Sequence, residues 1–268
     1  MAKCLIAGLP SAGKSTYIGA LAYLLREPVK GQILRYAQNP EDLSYLNRLT
    51  EPWLRQRIVE RTTRGTVNNI DLLLKREVDN KTIDISLPDI AGEEFASIIQ
   101  KQSEVVKSWS DKPDSMLFFI NEWPQHTLAE QFDEEDKTGK SKNPPVFEVN
   151  KISADVRNML LIKELHAIFH WKKMAIGISS WDLYDSAVYP TPSSFIKAKA
   201  PFLYNFIKYY FSNTMIFGVS AQGIEYKADS EYNIDLEDRT LKGERAYVVT
   251  DKGGKSFDLT LPIDFLIS

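Results

Sequence analysis

The sequence predicts an α/β protein, a three-layer fold in which a mostly parallel sheet of six strands is covered by helices on both faces. Three observations carry the prediction. Short apolar runs alternate with amphipathic segments along most of the 268 residues, the pattern of strands alternating with crossover helices. The first apolar run stops at a glycine-rich turn that opens a helix. The composition, 43% hydrophobic and 26% charged, provides enough apolar surface for a core and excludes disorder over most of the chain. We read 1–268 as a single domain carrying a helical insertion at about 27–61, a polar loop insertion at about 122–150 and a C-terminal extension at about 223–268.

The elements follow in order. Lys3 to Gly8 is an apolar run ending in glycine, which suits a buried strand. Ser15 to Leu25 is a helix with Ile18, Leu21, Ala22 and Leu25 on one side. Glu41 to about Glu60 is a second, with Leu43, Leu46, Leu49 and Leu54 at helical spacing and a kink or break at Pro52. Asn69 to Val78 and Thr82 to Leu87 are strands joined by an Asp79-Asn80 turn, and this antiparallel pair makes the sheet mixed. Glu94 to Trp109 is an amphipathic helix, Met116 to Ile120 a short buried strand. Residues 122–150, with Asp133 to Asp136, Gly139 and Pro144-Pro145, read as a polar loop. Helix resumes from Ser153 to Trp171, then a strand from Met174 to Ile178. Phe195 to Phe211 is a helix that Pro201 starts or kinks, and Met215 to Val219 is the last central strand. The tail holds a hairpin through Asp251 to Gly254 and the apolar end Leu261 to Ile267.

Chemistry is concentrated at the first strand–helix junction. Gly8-Leu9-Pro10-Ser11-Ala12-Gly13-Lys14-Ser15 matches G-x-x-x-x-G-K-[ST] in full. Its glycines let the backbone curl so that successive N–H groups face an anion at the positive end of the following helix. Gly8, Ser11, Ala12, Gly13, Lys14, Ser15 and Thr16 are therefore candidate phosphate-binding residues. Lys14, read as a solvent-facing charge, reaches the β- and γ-phosphates, and the Ser15 hydroxyl binds Mg²⁺. A second group stands at the end of the alternating strand, in Leu87-Pro88-Asp89-Ile90-Ala91-Gly92-Glu93. A carboxylate at a strand's carboxyl end faces the same crevice as the phosphate loop. Asp89 is expected to hold Mg²⁺ through water, and the Gly92 amide to meet a γ-phosphate.

D-x-x-G-[QE] after such a loop resembles the second motif of the Ras-like GTPases. The resemblance implies a three-layer P-loop NTPase fold, GTP/GDP and Mg²⁺ as ligands, and a protein effector or activator as partner. Thr66, 23 residues before Asp89, falls where that family has the switch threonine that closes the Mg²⁺ shell; Thr62 and Thr63 compete for the role. Ser179-Ser180-Trp181-Asp182 stands where the family has N/T-K-x-D, which gives Asp182 the guanine N1–H and N2–H₂ to accept and offers Trp181 as a stacking face. Ser180 replaces the lysine that covers the base, which keeps an ATPase or small-molecule kinase open as an alternative, and a nucleotide-binding module without turnover as a third. Ser220-Ala221-Gln222 resembles the family's S-A-K, whose alanine amide contacts the guanine carbonyl. Glu93 replaces the glutamine that orients the attacking water, so slow turnover is expected, with Arg61 and Arg64 placed as internal arginine fingers. The five elements span positions 8 to 222. The chain is thus similar to the translation-factor/Ras class of GTPases, and its S-S-W-D form, insertions and P-I-D-F-L-I ending resemble the double-GTPase-like families of bacterial conflict systems.

Other features receive bland readings. A charge of −3, from 33 Lys and Arg against 36 Asp and Glu, with no dense basic block, gives no footprint for tracking nucleic acid. The single cysteine, Cys4, excludes an intramolecular disulfide and a Cys-rich zinc site and reads as a small buried hydrophobe. His166 and His170 are four apart on a helix but lack a third ligand. The aromatics between Phe202 and Phe211 are divided between core and a partner surface. Without an 18-residue apolar stretch or a secretory signal, the expected location is the cytoplasm.

Overall fold

The computed structural model describes residues 2–59, 67–99, 112–121, 123, 153–224 and 231–268. Among them nine strands form one sheet: β1 (Ala2–Ala7), β2 (Leu34–Gln38), β3 (Val67–Arg76), β4 (Thr82–Ile90), β5 (Ser115–Ile120), β6 (Lys173–Ile178), β7 (Thr214–Ser220), β8 (Tyr247–Thr250) and β9 (Lys255–Ser256). Their order is β2-β3-β4-β1-β5-β6-β7-β8-β9. The β4-β1-β5-β6-β7 block is parallel, whereas β2-β3, β3-β4, β7-β8 and β8-β9 pair antiparallel. The six-stranded, mostly parallel sheet expected from sequence is therefore a mixed sheet of nine. The three additional strands extend it at both edges: β2 lies beside β3, and the β8-β9 hairpin beside β7.

The parallel block has the apolar content that two covered faces demand, and β5 is buried along its whole length. On one face lie α1 (Lys14–Arg26), α2 (Ser44–Leu54) and α8 (Leu261–Ile267), packed through Tyr17, Leu21, Leu49, Trp53 and Ile263. On the other lie α3 (Gly92–Ile99), α4 (Ala154–Phe169), α5 (Pro192–Lys199) and α6 (Pro201–Tyr210), packed through Phe95, Leu161, Leu165, Phe195 and Ile207. A short α7 (Ile234–Leu241) precedes β8.

Several boundaries differ from expectation for local reasons. The segment read as one helix over 195–211 is two, because Ala200 precedes a proline and takes φ −143 and ψ 65, outside the helical region. Thr191 and Ser194 close a capping box at the start of α5, and Pro201 occupies the first turn of α6. The helix read from Glu41 to about Glu60 is the shorter α2, which holds Pro52 and ends two residues after it. β2 lies within the segment read as a helical insertion, and the apolar end 261–267 is helical. The β3–β4 turn is as read, with Asn80 at φ 56, and so is the hairpin between β8 and β9. Of the helix expected over 94–109, α3 holds the described part. The insertion at 122–150, apart from Trp123, lies outside the described residues. No helix among the described residues is long and apolar enough to cross a membrane.

Candidate functional site

The carboxyl ends of β1, β4, β5, β6 and β7 converge on one rim of the sheet, where crevices form in parallel α/β folds. β1 ends at Ala7 and α1 begins at Lys14, so residues 8–13 form the turn between them. Gly13 sits at φ +90, and a Cβ there would lie 2.7 Å from the Ser179 hydroxyl oxygen; only glycine satisfies both the backbone and the space. Ser179 Oγ donates to the Ala12 carbonyl at 2.6 Å, and Asn121 Nδ2 to the Ser11 carbonyl at 3.3 Å. The ends of β5 and β6 thus hold the loop from beneath. Gly92 touches it from the other side: a Cβ there would stand 2.6 Å from Pro10 Cα.

Lys14 is not the solvent-facing charge expected from sequence. It is 6% exposed, arches over Phe95 with Nζ 5.5 Å from the ring centroid, and donates to the Gly8 carbonyl at 2.9 Å and the Leu9 carbonyl at 3.4 Å. Burial pulls its ammonium down to about 8, opposed by the charges of Asp89 and Glu93. Lys14, Ser15, Thr16, Gly92 and Glu93 line a cavity of about 230 Å³ together with Ile58 and Val59. Asp89, the penultimate residue of β4, pairs in register with Ile6 and is 0% exposed. The Tyr45 hydroxyl of α2 donates a short hydrogen bond to its Oδ2. Mg²⁺ takes oxygen ligands and is usually held by one or two protein groups plus phosphates. The hydroxyl of Ser15 and the buried carboxylate of Asp89 are donors of that kind, so the residues fit the ion.

On the far side of the loop a second, polar cavity of about 440 Å³ is lined by Asp182, Ser180, Asn121, Tyr184, Ala221 and Gln222. Ser11, Gly13 and Thr16 line both cavities, so the loop forms their shared wall. Asp182 lies in a 3-10 turn (Trp181–Leu183) directly after β6. Trp181 does not line this cavity. Its indole is 6% exposed and packs edge-on against Phe195 and Tyr184 at centroid distances of 5.6 and 5.9 Å. The stacking face assigned to it is spent in the core. Ser220 is likewise behind the cavity, its hydroxyl accepting from the Gly223 amide at 3.2 Å, while Ala221 stands at the wall.

Arg61, Thr62, Thr63, Arg64 and Thr66 lie outside the described residues. Val59, just before them, lines the smaller cavity, and Val67, just after, pairs with Ile90. Sequence reasoning passed over Asn121 and Ser179 as loop supports, although their position directly after a central strand marks them. It gave no signal for Tyr45, Trp53 or Arg245. Trp53 Nε1 donates to the Ala221 carbonyl at 2.8 Å, and Arg245 Nε to the Gln222 carbonyl at 3.0 Å.

The remaining candidates stay apart from this rim. His166 packs against Trp171 and Phe211 at 4.8 and 5.1 Å. No group of three or more His, Cys, Asp or Glu among the described residues is placed to hold a metal. Cys4 is fully buried, and burial pushes its thiol up to about 12. Part of the aromatic cluster on α6 lines an apolar groove of about 1000 Å³ against α4 that contains none of the motif residues.

Among solved structures the chain is similar to Sup35 complexed with GDP, at 13% identity and a TM-score of 0.40 over 84% of this chain. It is also similar to the Roco2 RocCORdC protein of Methanosarcina barkeri bound to GDP, at 12% identity and a TM-score of 0.34 over 90%. The chain spans 38% and 48% of the length of those two chains. No curated protein matches it. Residues 5–266 match the family described as Double-GTPase 1, and with a match running from β1 into α8 the chain belongs to that family.

Proposed function

We propose that the chain binds GTP and GDP with Mg²⁺, hydrolyses GTP to GDP and phosphate with slow intrinsic turnover, and switches a protein partner by its nucleotide state. Family membership supports the guanine nucleotide. The observation that carries the reading is the pair of cavities sharing the 8–15 loop as a wall, Lys14 facing one and Asp182 the other. A triphosphate in the smaller cavity and its base in the larger place both charges where such a nucleotide needs them.

In this reading Lys14 leaves the Gly8 and Leu9 carbonyls for the β- and γ-phosphate oxygens, exchanging neutral acceptors for charged ones. The Ser15 and Thr66 hydroxyls, and Asp89 through water, would hold Mg²⁺, which when bound would neutralise charge on the phosphate oxygens. The Gly92 amide donates to the γ-phosphate. Water attacks the γ-phosphorus in line, the bond to the β–γ bridging oxygen breaks, and the bridging oxygen leaves with GDP. Glu93 can accept the water's proton, but its charge repels the phosphate and it cannot donate as an amide does, hence the slow turnover. Arg61 or Arg64 compensates as an internal finger. Asp182 accepts from guanine N1–H and N2–H₂, and the Ala221 amide donates to the guanine carbonyl.

The test is competition binding of GTP, GDP and ATP in Mg²⁺, followed by single-turnover phosphate release from wild type and from Arg61→Ala and Arg64→Ala. GTP outcompeting ATP, with release slowed by roughly 10² or more in one arginine variant, is the expected result. Equal competition by ATP overturns the guanine assignment, and tight GTP binding without release reduces the protein to a module without turnover.

A further inference from the structure

Helix α2 belongs to the segment read from sequence as an insertion, yet one of its ends reaches the buried carboxylate at the end of β4 and the other the turn after β7. In its first turn Tyr45 donates to Oδ2 of the buried Asp89, with Arg48 stacked 5.0 Å from the Tyr45 ring centroid. In its last turn Trp53, 1% exposed, donates to the Ala221 carbonyl at 2.8 Å. The Trp53 ring is clamped between Tyr23, at a centroid distance of 5.3 Å, and the Arg245 guanidinium, 3.8 Å away. Arg245 in turn donates to the Gln222 carbonyl. Between the two ends, Thr50 Oγ1 donates to the Gly19 carbonyl of α1 at 3.2 Å. α2 is thereby fixed to the helix that opens at Lys14. Eight residues at 1.5 Å each set the two contacts about 12 Å apart along the helix.

We infer that α2 is part of the nucleotide site itself: Tyr45 is a positioning residue for the metal-holding Asp89 carboxylate, and Trp53 for the Ala221–Gln222 turn beside the base. The inference rests on the functional reading above. A carboxylate shut off from water takes its orientation from protein donors, and the Tyr45 hydroxyl is such a donor on Oδ2. Loss of an outer-shell partner of this kind commonly weakens metal binding 10–100-fold. At the other end, the Trp53 N–H fixes the Ala221 carbonyl and with it the plane of the following peptide. The loop then meets a base already ordered instead of ordering on contact. One helix therefore serves the metal and the base together, and the two contacts are separable because each uses one side-chain donor.

The experiment measures GTP and ATP affinity of the full chain across a Mg²⁺ titration and in EDTA, for wild type, Tyr45→Phe and Trp53→Phe. Tyr45→Phe keeps the ring and removes only the hydroxyl donor. Trp53→Phe removes the N–H together with the five-membered ring of a buried side chain, so Trp53→Leu, which also lacks the donor but leaves a differently shaped space, is measured beside it. Trp53→Leu should lower the ratio equally if the hydrogen bond is what matters. Tyr45→Phe is expected to raise the Mg²⁺ midpoint about 10–100-fold while changing the GTP-to-ATP ratio little. Trp53→Phe is expected to lower that ratio about fivefold, the loss of one hydrogen bond, while leaving the Mg²⁺ midpoint in place. In an Asp89→Asn background Tyr45→Phe should add no further shift in the Mg²⁺ midpoint, which separates positioning from packing. Two variants indistinguishable from wild type in both readouts overturn the inference, and so does a parallel loss of both quantities in each variant. A wild-type chain that binds no guanine nucleotide instead overturns the functional reading on which the inference stands.

Discussion

Replacing Gly19 by alanine sets two effects against each other, and the structure decides between them. Gly19 lies in the middle of α1, where glycine costs about 1 kcal/mol relative to alanine on an unobstructed helix. Here α2 crosses α1 over that residue. A Cβ at position 19 would stand 2.7 Å from the Leu49 carbonyl oxygen and 3.1 Å from its carbon. Both are backbone atoms, so no rotamer change relieves the overlap and α2 must move away as a body. That movement stretches the 3.2 Å bond from Thr50 Oγ1 to the Gly19 carbonyl. Overpacking of this kind costs about 1–3 kcal/mol, and the stretched bond costs about 1 kcal/mol more. After the propensity gain is subtracted, a net loss of about 1–3 kcal/mol remains. For a chain of this size each kcal/mol lowers Tm by about 2–4 °C, so Gly19→Ala should melt roughly 5 °C below wild type by calorimetry or circular dichroism. A Tm at or above that of wild type would refute the reasoning, because it would mean that propensity wins and the helices do not cross this closely.

Lys14→Ala should weaken GTP binding about 100-fold or more, since two charge-assisted hydrogen bonds are lost. Its far-ultraviolet circular dichroism should match wild type, and a GTP titration with unchanged affinity would defeat the phosphate assignment. Asp182→Asn should weaken GTP and favour xanthosine triphosphate, because the amide can donate to the xanthine oxygen where the carboxylate only accepts; a variant that keeps the wild-type preference excludes Asp182 from base reading. Cys4 should resist a disulfide reagent at pH 8 in the native protein and react fully in denaturant, its thiol being pushed from 9.0 to about 12 by burial. Because the folded-state value is the higher one, its contribution to stability is complete below about pH 9 and is lost as pH rises toward 12. Rapid native-state labelling would show that β1 opens locally.

What the sequence made legible was local. The run Lys3 to Gly8, the loop to Ser15 and the apolar side of α1 form one contiguous stretch whose pattern dictates its structure, and the Asp79-Asn80 turn specifies its own hairpin. β2 escaped because only Leu34 of its five residues is fully buried, which leaves too little alternation to register as a strand. α8 escaped because Leu261 to Ile267 is apolar nearly throughout, and so short a run has no period to separate strand from helix. The placement of Lys14 and Asp89 at one rim of the sheet was legible from their motifs, and that of Asp182 from its position after a strand. Trp181 was misread because an exposed stacking ring and a buried core ring have the same letter. The hydrogen bonds of Tyr45 and Trp53 join residues 44 and 168 positions apart. No local pattern encodes a contact that exists only once α2 has docked.

The antiparallel strands at the two ends of the sheet bear on how molecules of this protein meet one another in concentrated solution. A parallel block left open at its sides would offer long rows of unpaired amides and carbonyls as templates for neighbouring chains. Among the described residues the sheet ends on one side in the two residues of β9, too few to seed an intermolecular ladder. On the other it ends in β2, whose pairing with β3 is irregular between Tyr36 and Gln38 and whose Arg35 forms a 3.6 Å ion pair with Glu77. A register break and a charge on an outermost strand both discourage accretion. The same borders that enlarge the sheet also bring it to a close, so crowding should drive these molecules together through side-chain surfaces rather than through their backbones.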